Sequence, residues 1–227
     1  MAHYHEGLVQ QDMRLVRSFL FIFLCMNACC YCEDFTIGRL KYSGGGDWYA
    51  NPTSIPNWLR SLQTYLGMRT LSGEQVVSLK DDSAWTVPIL YATGHGNIDF
   101  DESEAETLRT YLLSGGFLWV DDNYGMNSYF RRNIRKVFPQ KKLLPIGSDH
   151  LLYRSFFKLK GLPKVHEHDG EPAQGFGLFD QGRMIVFYSY SSDIGDGLED
   201  ADVHKDSQTV RKLAEQFAVN LVYFVLN

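Results

Sequence analysis

The chain has 227 residues, of which 44% are hydrophobic and 14% are aromatic, and its formal net charge is −5. This composition is that of an ordinary globular protein and argues against intrinsic disorder. The acidic balance lacks the basic face that nucleic-acid binding usually needs, and it disfavours docking on anionic lipid. We therefore expect no nucleic-acid partner.

The first 32 residues carry a targeting signal. Arg14 and Arg17 precede the apolar run 18–25, which is the pattern of a secretory signal peptide. The run is too short for an ordinary transmembrane helix, although an uncleaved membrane anchor is the alternative. We therefore expect residues 1–32 to be an N-terminal extension and signal peptide, and residues 33–227 to be one domain, exported to the periplasm or cell envelope.

All four cysteines lie in this N-terminal segment, at positions 25, 29, 30 and 32. Residues 33–227 therefore contain no cysteine nucleophile, thiolate metal site or disulfide. Cys29 follows the small residue Ala28, so a lipid-anchored lipoprotein is a second alternative. Membrane contact is expected only through such a lipid or an N-terminal anchor.

Strand and helix patterns alternate along the rest of the chain. In chain order they are strand 35–40, helix 54–66, strands 76–79 and 87–92, helix 101–113, strand 117–120, helix 128–138, strand 143–146, a hairpin of 177–179 with 184–190, and helix 207–225. Such alternation predicts an α/β fold with a mainly parallel sheet covered on both faces. Ligands of these sheets bind outside the carboxyl ends of the strands, at the topological switch point.

Two polar segments directly follow predicted buried strands, namely 93–97 (Thr-Gly-His-Gly-Asn) and 121–125 (Asp-Asp-Asn-Tyr-Gly). The residues of an adjacent pair on a strand point to opposite sides, so only one of Asp121 and Asp122 should face a cleft. Either could be a general acid or base, a nucleophile or a metal ligand, with His95 as partner. The alternative is that the two acids cap a helix or a turn, and that His95 faces solvent in a tight turn.

Several separate motifs carry a family resemblance. They are residues 39–49, 93–96, 115–122, 166–170 and 192–197. In this order they resemble the bacterial family called domain of unknown function 4159, over roughly Phe35 to the C-terminus. The chain is similar, more distantly, to the class I glutamine amidotransferase-like superfamily, and this resemblance implies a flavodoxin-like three-layer sandwich.

The sequence departs from that superfamily at its catalytic turn. Amidotransferase members carry a cysteine on a sharp turn after a central strand, whereas the comparable turn here, residues 121–125, has neither cysteine nor serine. Glutaminase chemistry by thiolate attack is therefore excluded.

A glycine-rich loop is a candidate ligand site. Three glycines followed by Asp47, Trp48 and Tyr49 could cradle an anion or stack on a sugar, yet the loop lacks the P-loop and dinucleotide patterns. Glycines flanking His95 would likewise let a ligand approach the backbone. The ligand-binding candidates are Gly45, Gly46, Asp47, Trp48, Tyr49, Gly94, Gly96, Asn123, Tyr124, Glu167 and Asp193.

His166 and His168 are the metal candidates, because two histidines near a carboxylate can hold zinc or another divalent ion. The alternative is a polar loop whose side chains bond to backbone groups. The acidic segment 191–202 lacks the spacing of a calcium loop, and we expect it, with the nearby His204, to be solvated. No cofactor is implied except such a metal ion.

Two functions remain open. The first is a ligand-binding or accessory protein of the cell envelope, for a small molecule, saccharide or peptide, without catalysis. The second is an envelope hydrolase that uses Asp121 or Asp122 with His95 or the histidine pair, with a metal ion as an option. A purely structural role would leave these polar groups paired with the backbone.

Overall fold

The computed structural model describes residues 34–227. The predicted signal peptide and all four cysteines lie outside these residues. The strands are β1 Ile37–Lys41, β2 Gln75–Ser78, β3 Ile89–His95, β4 Phe117–Tyr124, β5 Leu144–Ile146, β6 Gln174–Asp180 and β7 Arg183–Tyr190. The helices are α1 Ser54–Leu66, α2 Glu102–Leu113, α3 Asn127–Val137, α4 Ile194–Leu198 and α5 Gln208–Leu226, with short 3-10 helices at Asp82–Thr86 and Leu151–Arg154.

The seven strands form one mostly parallel sheet in the order β2-β1-β3-β4-β7-β6-β5. Strands β2, β1, β3, β4 and β7 are parallel, whereas β5 and β6 run antiparallel to their neighbours. The chain passes from β1 outward to β2 and then returns to the other side of β1 as β3. The carboxyl ends of β1 and β3 therefore flank a topological switch point.

Each central strand contributes alternate residues to two separate hydrophobic clusters. In β4, Leu118 and Val120 pack with α2 and α3, whereas Phe117 and Trp119 pack with α1 and α5. Successive strand residues point to opposite faces of a sheet, so both faces are covered. The near-continuous apolar runs of β3 and β4 follow from this double burial.

Two strands extend beyond their predicted ends. β3 includes Thr93, Gly94 and His95, and β4 continues through Asp121 and Asp122 to Tyr124. The polar ends pair with one another, Thr93 opposite Asp121 and Gly94 opposite Asp122. The Asp pair therefore lies within a strand, because backbone pairing outweighs the loop-like composition.

The expectation that segment 191–202 is a solvated loop is wrong. Its centre forms α4, whose five residues are all buried. A Cβ atom at Gly197 would lie 2.7 Å from the Ala214 Cβ atom, so a glycine is needed for α4 to pack this closely against α5. The glycines of this acidic segment thus serve helix packing.

The described residues form five α-helices, the longest of which, α5, has 19 residues. None of those within residues 34–227 combines the length and the apolarity that a membrane crossing requires.

Candidate functional site

Asp47 and His95 meet at the switch point between β1 and β3. The His95 backbone N–H donates to Asp47 Oδ1, and the ring Nδ1 lies 3.0 Å from Asp47 Oδ2. The His95 side chain is 52% exposed. Because Asp47 engages Nδ1, the Nε2 atom is the ring nitrogen that can accept a proton. We call Asp47, His95 and their glycine-flanked backbone the β1–β3 site.

The glycines of this site bring two loops together. A Cβ atom at Gly46 would lie 2.7 Å from the His95 carbonyl oxygen, and one at Gly94 would lie 2.7 Å from Asp47. These two glycines therefore permit loop-to-loop contact, where the sequence suggested contact with a ligand. Gly45 and Gly96 have open space around their Cα atoms but positive φ angles of 90° and 75°, which favour glycine.

The two aromatic residues of the glycine-rich loop have different surroundings. Trp48 is partly buried against the hydrophobic cluster of α2 and α3, and Lys41 lies over its ring. Tyr49 is 64% exposed and its ring contacts Trp48 edge-on. Of this pair, only Tyr49 presents most of its surface to solvent.

The Asp121 carboxylate is fully buried on the face of α1 and α5. The Gly195 N–H donates to Asp121 Oδ2 at 2.6 Å, and the Ser189 hydroxyl donates to Asp121 Oδ1. Burial raises the pKa of Asp121 to about 7, because the charged form loses its hydration. Asp121 thus joins β4 to the turn into α4.

Asp122 points to the opposite face, as the alternation predicts. The Met126 N–H donates to its Oδ1 at 2.9 Å and the Tyr188 hydroxyl donates to its Oδ2 at 2.6 Å. Burial raises the pKa of Asp122 as well. The prediction that His95 pairs with Asp122 is wrong. The His95 ring hydrogen-bonds to Asp47 instead.

Asp193 occupies the sharp turn from β7 into α4. It is fully buried, and its φ and ψ angles of 57° and 44° are left-handed, which is rare for a residue other than glycine. Its Oδ2 lies 2.6 Å from His168 Nε2. Burial, followed by the nearby carboxylate Asp121, raises its pKa to about 9.

His166 lies beside this turn because its segment runs along the end of β7. The Val165 N–H donates to the Ser192 carbonyl oxygen at 2.8 Å. The ring Nδ1 of His166 then lies 2.9 Å from Asp196 Oδ2, and His204 Nδ1 lies 3.8 Å from the same oxygen. We call Asp121, Asp193, Asp196, His166 and His204 the β4–β7 site.

One potential metal-ligand atom from each of His166, Asp196 and His204 lies within 4.8 Å of the other two. The residues of this candidate metal site therefore differ from the predicted pair, His166 and His168. His166 belongs to this group, whereas His168 bonds to Asp193 and its ring stacks near Tyr124, with ring centroids 4.8 Å apart. His204 is exposed, as expected of a solvated residue, yet its ring nitrogens also lie 3.8 and 3.9 Å from the carboxylates of Asp196 and Glu199.

The remaining predicted residues surround this centre. Asn123 is buried and bonds to Thr93 and Asp196, and Glu167 accepts a hydrogen bond from the Gly170 N–H within its own loop. Tyr124 lines a cavity of about 210 Å³. The other lining residues are Asp122, Asn123, Gly125, Asn127, Asp169, Tyr190 and Ser191.

Three acids that complete the centre went unidentified in the sequence. Asp196, Glu199 and Asp206 lie near the two histidines, at distances of 2.9 to 3.9 Å. The signal was present as acids on both sides of His204. It was indistinguishable from a solvated acidic loop, because the burial of α4 is a tertiary property.

Comparison with known proteins places the chain in a family. No curated protein matches it. Residues 36–226 match the family described as "Domain of unknown function (DUF4159)". This match covers most of the chain and includes both the β1–β3 site and the β4–β7 site. The chain therefore belongs to the DUF4159 family.

Proposed function

We propose that this chain is an exported protein of the bacterial cell envelope that binds a small ligand on a flavodoxin-like, three-layer scaffold of the class I glutamine amidotransferase-like kind. The strand order and the coverage of both sheet faces support the scaffold. The basic and apolar pattern before residue 33 supports export to the periplasm. The absence of a catalytic cysteine from residues 33–227 supports binding over amidotransfer.

One observation carries the binding proposal. Both oxygens of Asp121 and of Asp122 accept hydrogen bonds from interior groups, while a cavity lined by Tyr124, Tyr190 and Asn127 opens beside Asp122. Its volume of about 210 Å³ lies below the range typical of drug-sized ligands. The occupant is therefore a small group, such as one sugar ring or one end of a peptide.

Calorimetric titration of the purified chain with monosaccharides, disaccharides and dipeptides tests this proposal. We expect at least one class to bind, and Tyr124→Ala to weaken binding about tenfold because an aromatic contact of about 1.4 kcal/mol is lost. Tyr49→Ala is the matched control, since Tyr49 is exposed and does not line the cavity. Equal losses in the two variants, or no binding by any member, would contradict the proposal.

Export is tested separately by the mass of the processed N-terminus. Expression of the full chain in a bacterial host should give a periplasmic or envelope product that begins near residue 33. A lipid adduct on Cys29 would identify the anchored form. An intact N-terminus in the cytoplasmic fraction would overturn export.

A hydrolase is the second candidate, and the Asp47–His95 pair favours it. Asp47 holds the ring Nδ1, which leaves Nε2 of a half-exposed histidine as a general base for water, with or without a divalent metal ion. Hydrolysis of nitrophenyl esters and glycosides tests it. His95→Gln should lower any measured kcat about 100-fold or more, whereas the distant His150→Gln should leave it unchanged.

A further inference from the structure

The β4–β7 site contains a set of side chains that converge from three separate segments. His166 precedes β6, Asp196 lies in α4, and His204 lies between α4 and α5. Asp196 Oδ2 is 2.9 Å from His166 Nδ1 and 3.8 Å from His204 Nδ1. Ligand atoms around a tetrahedral zinc ion lie about 3.3 Å apart, given bonds of about 2.0 to 2.2 Å. The observed separations lie on either side of this value.

A second carboxylate adjoins these three ligands. Asp193 is fully buried, and its Oδ2 lies 4.0 Å from His166 Nδ1. Its Oδ1 has no hydrogen-bond partner among residues 34–227. Burial of an unpaired carboxylate oxygen destabilises the folded state, and a neighbouring cation offsets that loss of free energy. This oxygen is an observation independent of the three converging ligands.

The other polar atoms of these three side chains also lie near polar groups. His166 Nε2 lies 3.0 Å from Asp206 Oδ1, and His204 Nε2 lies 3.9 Å from Glu199 Oε2. Asn123 Nδ2 donates to Asp196 Oδ1 at 2.8 Å. Both histidines thus turn Nδ1 toward the centre and Nε2 toward a carboxylate. Metal-binding histidines usually have such a partner, which fixes the tautomer and orients the ring.

The charges around the centre favour a cation. Asp196 and Glu199 are buried, and Asp206 lies beside them. Among the described cations nearby, Lys164 bonds to Glu171 and Ser191, and Arg211 bonds to the Glu199 carbonyl oxygen. A divalent ion would balance this excess of carboxylates.

We infer that His166, Asp196 and His204 bind a divalent transition-metal ion, with Asp193 as the fourth ligand. The inference stands apart from the proposed binding cavity, since none of these four residues lines it. Two imidazoles and two carboxylates suit Zn²⁺ and its neighbours in the first transition row. Ca²⁺ and Mg²⁺ are disfavoured because they prefer oxygen ligands alone.

The test uses the full chain with its four N-terminal cysteines alkylated, so that no thiolate competes for the ion, then stripped with a chelator and titrated with Zn²⁺ alone. We expect one equivalent to bind, with a higher melting temperature, and the Co²⁺ form to show the visible absorption of a tetrahedral site. His204→Gln and His166→Gln should each weaken Zn²⁺ binding at least 100-fold, and Asp206→Asn should weaken it about 10- to 100-fold through the orientation of His166. His150→Gln is the matched control.

His204→Gln is the decisive variant because His204 is exposed and its loss should leave the apo fold intact. Its melting temperature without metal should equal that of the unchanged chain, while the rise on adding Zn²⁺ disappears. Failure of the unchanged chain to bind Zn²⁺ or Co²⁺ would overturn the inference. So would equal Zn²⁺ affinity in His204→Gln, His166→Gln and the control.

Discussion

The β1–β3 site and the β4–β7 site lie at the carboxyl ends of parallel strands in one sheet, yet their side chains have different surroundings. The His95 side chain is 52% exposed and bonds to one partner from the neighbouring loop. Asp121 and Asp193 are fully buried and contact groups 74 and 25 residues away in the chain. The exposed site holds one side-chain pair between two loops, whereas the buried one removes several carboxyl groups from water and therefore has more effect on stability.

The largest expected difference between the sites is in pH dependence. Burial raises the pKa of Asp121 from 3.8 to about 7, so between these values the folded protein holds a proton that the unfolded chain releases. Stability should therefore fall as pH rises from about 4 to about 7. The slope should reach about 1.4 kcal/mol per pH unit and sum to a few kcal/mol.

Asp121→Asn should remove this contribution, as measured by urea unfolding across the same pH range. Asp149→Asn, at an exposed carboxylate, is the matched control and should keep the slope of the unchanged chain. An identical slope in Asp121→Asn and the unchanged chain would show that Asp121 is ionised throughout.

A second comparison uses one glycine from each site. A Cβ atom at Gly195 would lie 2.3 Å from Asn51 Nδ2 and 2.5 Å from the Tyr91 hydroxyl, so Gly195→Ala should destabilise the fold by about 3 kcal/mol. Gly96 has open space but a φ of 75°, so Gly96→Ala should cost about 1 kcal/mol through backbone strain. Chemical denaturation measures the free energy of unfolding of both variants. A larger loss in Gly96→Ala than in Gly195→Ala would show that the β1–β3 site is the more tightly packed of the two.

The smallest expected effects concern the exposed pair. Asp47→Asn should lower the free energy of unfolding by about 1 kcal/mol, because Asp47 accepts hydrogen bonds from both the backbone and the ring of His95. His95→Gln should change it by less than about 0.5 kcal/mol, as is usual at exposed positions. Thermal and urea unfolding of the two variants tests this order, and a loss in His95→Gln above that in Asp47→Asn would contradict it.

Much of the fold was predictable from local pattern. The helix predicted over 54–66 has the observed bounds, and the long C-terminal helix, predicted over 207–225, spans Gln208–Leu226. Periodic apolar residues and caps determine such elements over a few turns. The ends of β3 and β4 were predicted too early, because the pairing of Gly94 with Asp122 depends on two strands meeting.

The candidate site divides in the same way. The convergence of the polar segments at the ends of β3 and β4 was predictable, because parallel strands bring their carboxyl ends to one edge. The pairing of His95 with Asp47 in place of Asp122 was not, since the choice depends on how two glycine-rich loops pack. Asp196 and His204 were missed because only tertiary packing buries α4.

The sequence by itself determined the α/β class, the membership of residues 36–226 in the DUF4159 family, and the absence of cysteine chemistry from residues 33–227. These follow from periodicity, motif order and composition, which are local or countable properties. Only the tertiary structure decided which acids are buried, which histidine meets which carboxylate, and where His166, Asp196 and His204 converge. Those outcomes depend on contacts between segments as far as 146 residues apart, because burial and distance arise when the sheet and its covering helices pack together.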